Sequence, residues 1–389
     1  MTFKKNHIAT LMWLIYSLLI TDCLYAAVKV GFNTVISEPT TYSHVLLDMT
    51  TGNFIIRNNA SLIITDSTII GTLSATKPTL IYVESGSLTL SNNRVNITAS
   101  MLGQHPDTQS LAYMVRLNDA TLNMTGNSFA MTEPFTAGLL ITNMNKATNH
   151  IYIAKNKVTD FHGVFYLLNT TNAVVENNLL KKNSYGNIVI MGSDSEINNN
   201  SILYSGRDRI GDGDAIDVID SDNVKITNNV ISTPGCYGIW VMSSQSVLID
   251  NNTITGGVTY AMTISNPAFK DINKDAVKLL TELGKKVLTH SLSSNITITN
   301  NILHQNRYGI TAIDVNHLTI TDNFFSQKFK DTATRQFWTD NKTLMKNVTE
   351  LVWENNMYKE AFTQENRGDN SKIQFVTFPA IGGVVLLME

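Results

Sequence analysis

VKITNNVISTPGCYGIWVMSSQS, residues 224–246, is the stretch whose reading decides the fold. Val224 and Ile226, then Val230, then Ile239 and Val241 alternate with polar positions over short runs. Period-two burial of this kind marks strands with one face on a core. Runs of two to five residues cannot close a core alone. Stacking one such unit on the next supplies both the missing hydrogen bonds and the missing apolar cover.

The units around it confirm a repeat. The second member of an asparagine-rich pair falls at Asn156, Asn178, Asn200, Asn229, Asn252, Asn301 and Asn323, in steps of 22, 22, 29, 23, 49 and 22. Similar text surrounds each pair, as in VVENNLL, EINNNSI, VKITNNVI, VLIDNNTI and LTITDNFF. Periods of 20 to 50 residues signal a solenoid, propeller or array. Here each unit reads as one coil of a parallel β-helix, with the asparagines as turn formers able to stack in ladders. Looser copies at 57–69, 88–98 and 122–132 place the start of the helix near residue 30.

Two segments interrupt the pattern. Residues 267–290 set Ala276, Leu279, Leu280, Leu283 and Val287 at helical spacing, predicting an amphipathic helix inserted between two coils. After Phe325 the repeat decays, except for WENNMY at 353–358, and residues 326–389 are read as a terminal cap. The fold class expected is therefore all-β, a right-handed parallel β-helix with a short inserted α-helix.

The N-terminus joins Lys4 and Lys5 to an apolar stretch from Ile8 to Ile20, followed by Ala26 and Ala27. That order predicts a secretory signal peptide over 1–27 and one domain over 28–389, secreted, periplasmic or at a cell surface. The stretch is too short to span a membrane comfortably. Removing it leaves Cys236 as the only cysteine, so an internal disulfide is excluded and stacking must supply the stability. A net charge of −3 without a basic stripe argues against nucleic acid as a partner. A monomer is expected.

One coil differs from the rest. Between Asn200 and Asn229 an insertion reads SGRDRIGDGDAIDVIDSDN and packs Arg207, Asp208, Arg209, Asp212, Asp214, Asp217, Asp220 and Asp222 into 16 residues. Alignment on Gly or Ala gives shared strands at 162–169, 185–192, 214–221, 237–244, 260–267 and 308–315. It predicts an outward column of Phe165, Ile188, Asp217, Trp240, Thr263 and Thr311, with His162, Tyr185, Asp214, Tyr237, Tyr260 and Tyr308 at the strand entrance. Carboxylates perform acid–base work on glycosidic bonds, and aromatic faces cover sugar rings. Asp214, Asp217 and Asp220 are thus candidate acids, and Tyr185, Tyr237, Trp240 and Tyr308 candidate substrate contacts. Arg207 and Arg209 suit uronate carboxylates. No cofactor is required, although Asp212, Asp214 and Asp217 also suit a structural calcium ion. Asp214 and Asp217 are three apart, so they converge only if Asp214 lies on a turn.

The chain resembles the pectin-lyase-like superfamily of right-handed parallel β-helix proteins over most of residues 50 to 325. Within it, DGDAIDVIDSDNVKITNNVIS (212–232) is similar to a polygalacturonase segment that contributes an essential Asp, matched here by Asp214. Where that family continues with Gly-Asp-Asp, this chain has Pro234-Gly235-Cys236-Tyr237, and the later Gly-His-Gly and Arg-Ile-Lys motifs are missing. Lyases and epimerases of the superfamily use a base beside a neutralised carboxylate, a role open to His162, Arg207, Arg209 and Arg307. The resemblance implies processing of a polysaccharide, most readily an acidic one. The alternative in another class is a non-catalytic glycan-binding or adhesin-like protein.

Overall fold

The structure, a computed structural model, describes residues 26–99, 112–134, 136–143, 148–205, 213–257, 259–265, 289–306, 308–326, 345–358, 373–378 and 383–388. Each regular coil contributes three short strands. In one coil these are Ile216–Ile219, Lys225–Thr227 and Val230–Ser232. Each pairs in parallel with its counterpart in the next coil, Ile239–Met242, Gln245–Asp250 and Thr253–Thr255. Among the described residues the third strands alone build a 13-stranded sheet from Ala26–Lys29 to Met357–Tyr358. The repeat thus forms the parallel β-helix that its period required.

Alternate residues of all three strands point into one continuous core. Ile216 and Val218, Ile226, and Ile231 are buried there, above Ile239 and Val241, Ile249, and Ile254. Burying one such side chain is worth about 1.5–3 kcal/mol, so the interior rows carry most of the cohesion.

The asparagine pairs divide two tasks. The first member supplies a left-handed residue at the corner, with φ between 53° and 58° at Asn177, Asn199, Asn228, Asn251, Asn300, Asp322 and Asn355. The second member turns inward and is buried. Asn200 donates both its backbone N–H and its side-chain amide to Asn229 Oδ1, at 2.9 and 3.0 Å. Asn229 repeats both bonds to Asn252 at 2.9 Å. Each amide also donates to a carbonyl of the coil behind, as Asn229 does to Ile197. The ladder runs from Asn93 to Asn356 with the same geometry. Its step from Asn252 to Asn301 is no longer in space than the others, so the 49-residue spacing is an excursion from an unbroken stack.

The excursion itself, 266–288, lies outside the described residues, and with it nearly all of the helix expected over 267–290. So does the expected signal sequence up to residue 25; Ala26 and Ala27 belong to the first strand, Ala26–Lys29, paired with Val45–Met49. At the other end the solenoid runs beyond Phe325. Met345–Glu354 stacks on Tyr308–Thr321, Met357–Tyr358 on Phe324–Ser326, and Asn356 joins the ladder. WENNMY is therefore stacked on the preceding coil within the region read as cap. Ile373–Phe378 and Gly383–Met388 form an antiparallel pair. No helix among the described residues is long and apolar enough to cross a membrane.

Candidate active site

The strand Ile216–Ile219 carries the acidic coil's unusual residues on the outer face of its sheet. Its pairing corrects the expected alignment by one residue. Asp217 faces Val189 on one side and Trp240 on the other, and Val189 faces Tyr166. The outward column is therefore Tyr166, Val189, Asp217, Trp240, Thr263 and Thr311, while Phe165 and Ile188 point into the core. The two upstream coils have one more residue between their glycine and the strand, Gly163-Val164-Phe165-Tyr166 against Ala215-Ile216-Asp217. An alignment on glycine alone shifts them onto the wrong face.

This outer face is not an open wall. Tyr166, Leu168, Val189, Met191, Ile219, Trp240 and Met242 form a second apolar cluster. Trp240, expected to be exposed, retains 5% of its surface, and its indole N–H donates to Ser265 Oγ at 2.9 Å. Asp217 retains 4%. Alternation put Asp217 and Trp240 on the outer face correctly, but it carries no information on what lies over that face.

Asp214 precedes the strand on the turn, as convergence with Asp217 demands. Its Oδ1 accepts the Tyr237 N–H at 2.9 Å, and the Cys236 thiol hydrogen-bonds its carboxylate. Asp214 is close enough to Asp217 to perturb it. Burial first, and then the Asp214 charge, push the Asp217 carboxyl well above the usual carboxylate range. Asp217 Oδ1 is buried with no hydrogen-bond partner among the described residues. The same two causes, burial and then Asp214, raise the Cys236 thiol, which is thereby an inert neutral group.

Asp220 does not join this pair. It sits past the strand at φ 47°, and its Oδ1 accepts the backbone N–H groups of Thr289 and His290. His162 stands at the strand entrance, stacked on Tyr185 with ring centroids 5.3 Å apart. Its Nδ1 lies 3.0 Å from Ser184 Oγ, and its Nε2 is buried with no hydrogen-bond partner among the described residues. Burial lowers its pKa to about 4, so the imidazole is neutral at pH 7. Tyr237 lies between Trp240 and Tyr260, at centroid distances of 5.7 and 6.2 Å, and is half-buried like Tyr185. Tyr308 pairs with Tyr260 through its backbone.

Arg207, Arg209, Asp212 and Arg307 lie outside the described residues. Of the three residues of the calcium set, Asp214 and Asp217 are described and Asp212 is not. Among the described residues no group of three or more His, Cys, Asp or Glu side chains gathers where a metal could bind. Two neighbours of Asp217 escaped the sequence reading, Tyr166 and Gly186. The strand register puts Tyr166 on this face, and nothing in the sequence singles out Gly186.

The family model of the right handed beta helix region matches residues 137–269 and 209–347, together more than half of the chain, and the chain belongs to that family. No curated protein matches it in sequence. Among solved structures it is similar to a mutant tailspike protein of E. coli bacteriophage HK620 in complex with a pentasaccharide. That likeness has 12% identity and a TM-score of 0.49, and covers 86% of this chain and 61% of the tailspike. The chain thus spans about three fifths of that tailspike's length. It is also similar to a mutant of the periplasmic alginate epimerase AlgG, with 11% identity, coverage of 85% of each chain and a TM-score of 0.30. A third likeness is to the DFA-IIIase of Arthrobacter chlorophenolicus, with 11% identity, coverage of 84% of this chain and 86% of that one, and a TM-score of 0.33. At such identities nothing about substrate passes to this chain.

Proposed function

We propose that this protein processes a polysaccharide, with Asp217 as proton donor and Asp214 as its carboxylate partner. One observation carries the reading: a carboxyl buried on the outer face of the solenoid is pushed toward its neutral form, by burial first and then by a second carboxylate just before its strand. A pair of acids whose environments drive their protonation apart is what acid catalysis at a glycosidic bond requires. Asp214, Tyr185 and Tyr237 are partly exposed and form the approach from solvent, with aromatic edges suited to sugar rings.

The substrate we favour is an acidic polymer, since Arg207 and Arg209 belong to the same coil insertion and match uronate carboxylates. The signal-like N-terminus suits a protein exported to meet such a polymer. A non-catalytic binder would need an open aromatic platform, and Trp240 is buried.

The test is a panel of polyuronates and neutral glycans, comparing wild type with Asp217→Asn. Reducing ends released by wild type and lost in the variant support the reading. Release with the ultraviolet absorbance of an unsaturated uronate, retained in Asp217→Asn, would replace it with elimination from another base. Silence on every glycan would overturn processing and return the binding alternative.

A further inference from the structure

We propose that Tyr166 is a positioning residue for Asp217, its hydroxyl reaching over Gly186 toward the carboxyl group; this rests on the reading of Asp217 as the proton donor. Tyr166 and Asp217 occupy one outward column with only Val189 between them. Neighbouring strands stand about 4.8 Å apart, so the two backbones are two such steps from each other, a gap that a phenol can bridge and a shorter side chain cannot.

Gly186 is where they meet. A β-carbon at 186 would lie 2.8 Å from Val189 Cγ2, 3.0 Å from Tyr166 Oη and 3.5 Å from Asp217 Oδ2. The first two distances are tighter than real β-carbon contacts normally are and the third is ordinary contact, so glycine leaves Val189 and the Tyr166 hydroxyl their room beside Asp217. The Gly186 N–H hydrogen-bonds the Tyr166 hydroxyl oxygen. No hydrogen bond joins the two side chains among the described residues, where they act on each other through charge; with the acceptor position taken by Gly186, the phenolic proton is placed, on this proposal, on the Asp217 side.

The groups that bear on the pair are Asp214 from the strand entrance, Cys236 from the following coil, and Tyr113 and Tyr185 around the phenol. Tyr166 is itself held neutral, by burial first and then by Tyr113, Tyr185 and Asp217. It therefore acts as a fixed donor dipole and not as an acid. A hydroxyl donor steadies the ionised carboxylate and limits how far burial can raise it.

The experiment follows Asp217 by NMR in protein labelled with carbon-13 at the aspartate carboxyls, its signal assigned by loss in Asp217→Asn. Tyr166→Phe should move the titration midpoint upward by about one pH unit. Gly186→Ala, which displaces the hydroxyl, should move it the same way. An unchanged midpoint in a folded Tyr166→Phe protein overturns the proposal. A measurement on wild type alone guards against variants that fail to fold. The Tyr166 ring signal, labelled at Cζ, should shift at the Asp217 midpoint, and its indifference to that midpoint would also overturn the proposal. Turnover plays no part in this readout. If Asp217→Asn keeps full activity on a glycan, the reading of Asp217 as donor fails, while the positioning of one side chain by the other is decided by the titration.

Discussion

Asp220 Oδ1 accepts the backbone N–H of Thr289 at 2.8 Å, joining residues 69 apart in sequence. The same oxygen takes the His290 N–H at 3.0 Å, and His290 Nε2 lies 3.1 Å from Asp222 Oδ2. One carboxylate thus pins the chain where it returns to the solenoid after 266–288, beside the coil that carries Asp214 and Asp217.

Asp220→Ala should therefore cost stability without touching the acid pair. Two backbone donors on partly exposed residues lose their acceptor, and water takes over part of it, so the cost should be about 1 kcal/mol. Hydrogen exchange would show the loss as faster exchange at Thr289 and His290, with the interior strands unchanged. Uniform acceleration along the coil would count against a local clasp.

The asparagine ladder predicts a sharp contrast between adjacent residues. Asn229→Ala removes the acceptor of Asn200 and the donor to Ile197, both fully buried, and should cost about 3 kcal/mol. Asn228→Ala removes two exposed side-chain bonds, one donated to Asn198 Oδ1 and one accepted from Asn251, and puts a residue less tolerant of φ 58° at the corner; it should cost about 1 kcal/mol, with Asn228→Gly costing less. Denaturant unfolding of the three variants checks the order, and equal losses would refute the division of labour within the pair.

Asp217→Asn should gain stability at neutral pH even as it loses activity. The folded pKa is raised, so the native state binds a proton that the unfolded chain has released. That contribution is complete below the unfolded value of about 4, and it is lost as pH rises toward the folded value, at up to about 1.4 kcal/mol per unit. From pH 4 to pH 7 the stability of wild type should fall relative to that of the variant, His162 acting alike in both. Parallel curves would mean that Asp217 is ionised in the folded protein.

His162 acts in the opposite direction. Its folded pKa is about 4, against about 6.5 unfolded, so its contribution is complete above 6.5 and falls away as pH drops toward 4. The full difference corresponds to about 3 kcal/mol. His162→Gln, which removes the titration but retains a polar side chain, should reduce the loss of stability between pH 6.5 and pH 4. An identical acid response in the variant would show that the imidazole titrates freely.

Much of this was legible in the sequence because a solenoid repeats one local problem. Val224, Ile226 and Ile231 had to face inward, and the second asparagine of each pair had to sit where a turn and a ladder meet. The site was legible only in part. The three-residue separation of Asp214 and Asp217 left their meeting conditional on a turn, which the start of the strand at Ile216 supplies. Trp240 was read as exposed because alternation distinguishes inside from outside but not covered from bare.

The sequence by itself determined the coil, its period, its corners and the inward rows, since each follows from interactions between neighbours or between identical positions one repeat apart. Only the tertiary structure decided that Tyr166, and not Phe165, shares a face with Asp217. A single extra residue reverses the outward side of a strand, and no local preference marks it. The protonation of Asp217 likewise had to await the fold, because it depends on how deeply the carboxyl is buried and on a charge brought close by the turn.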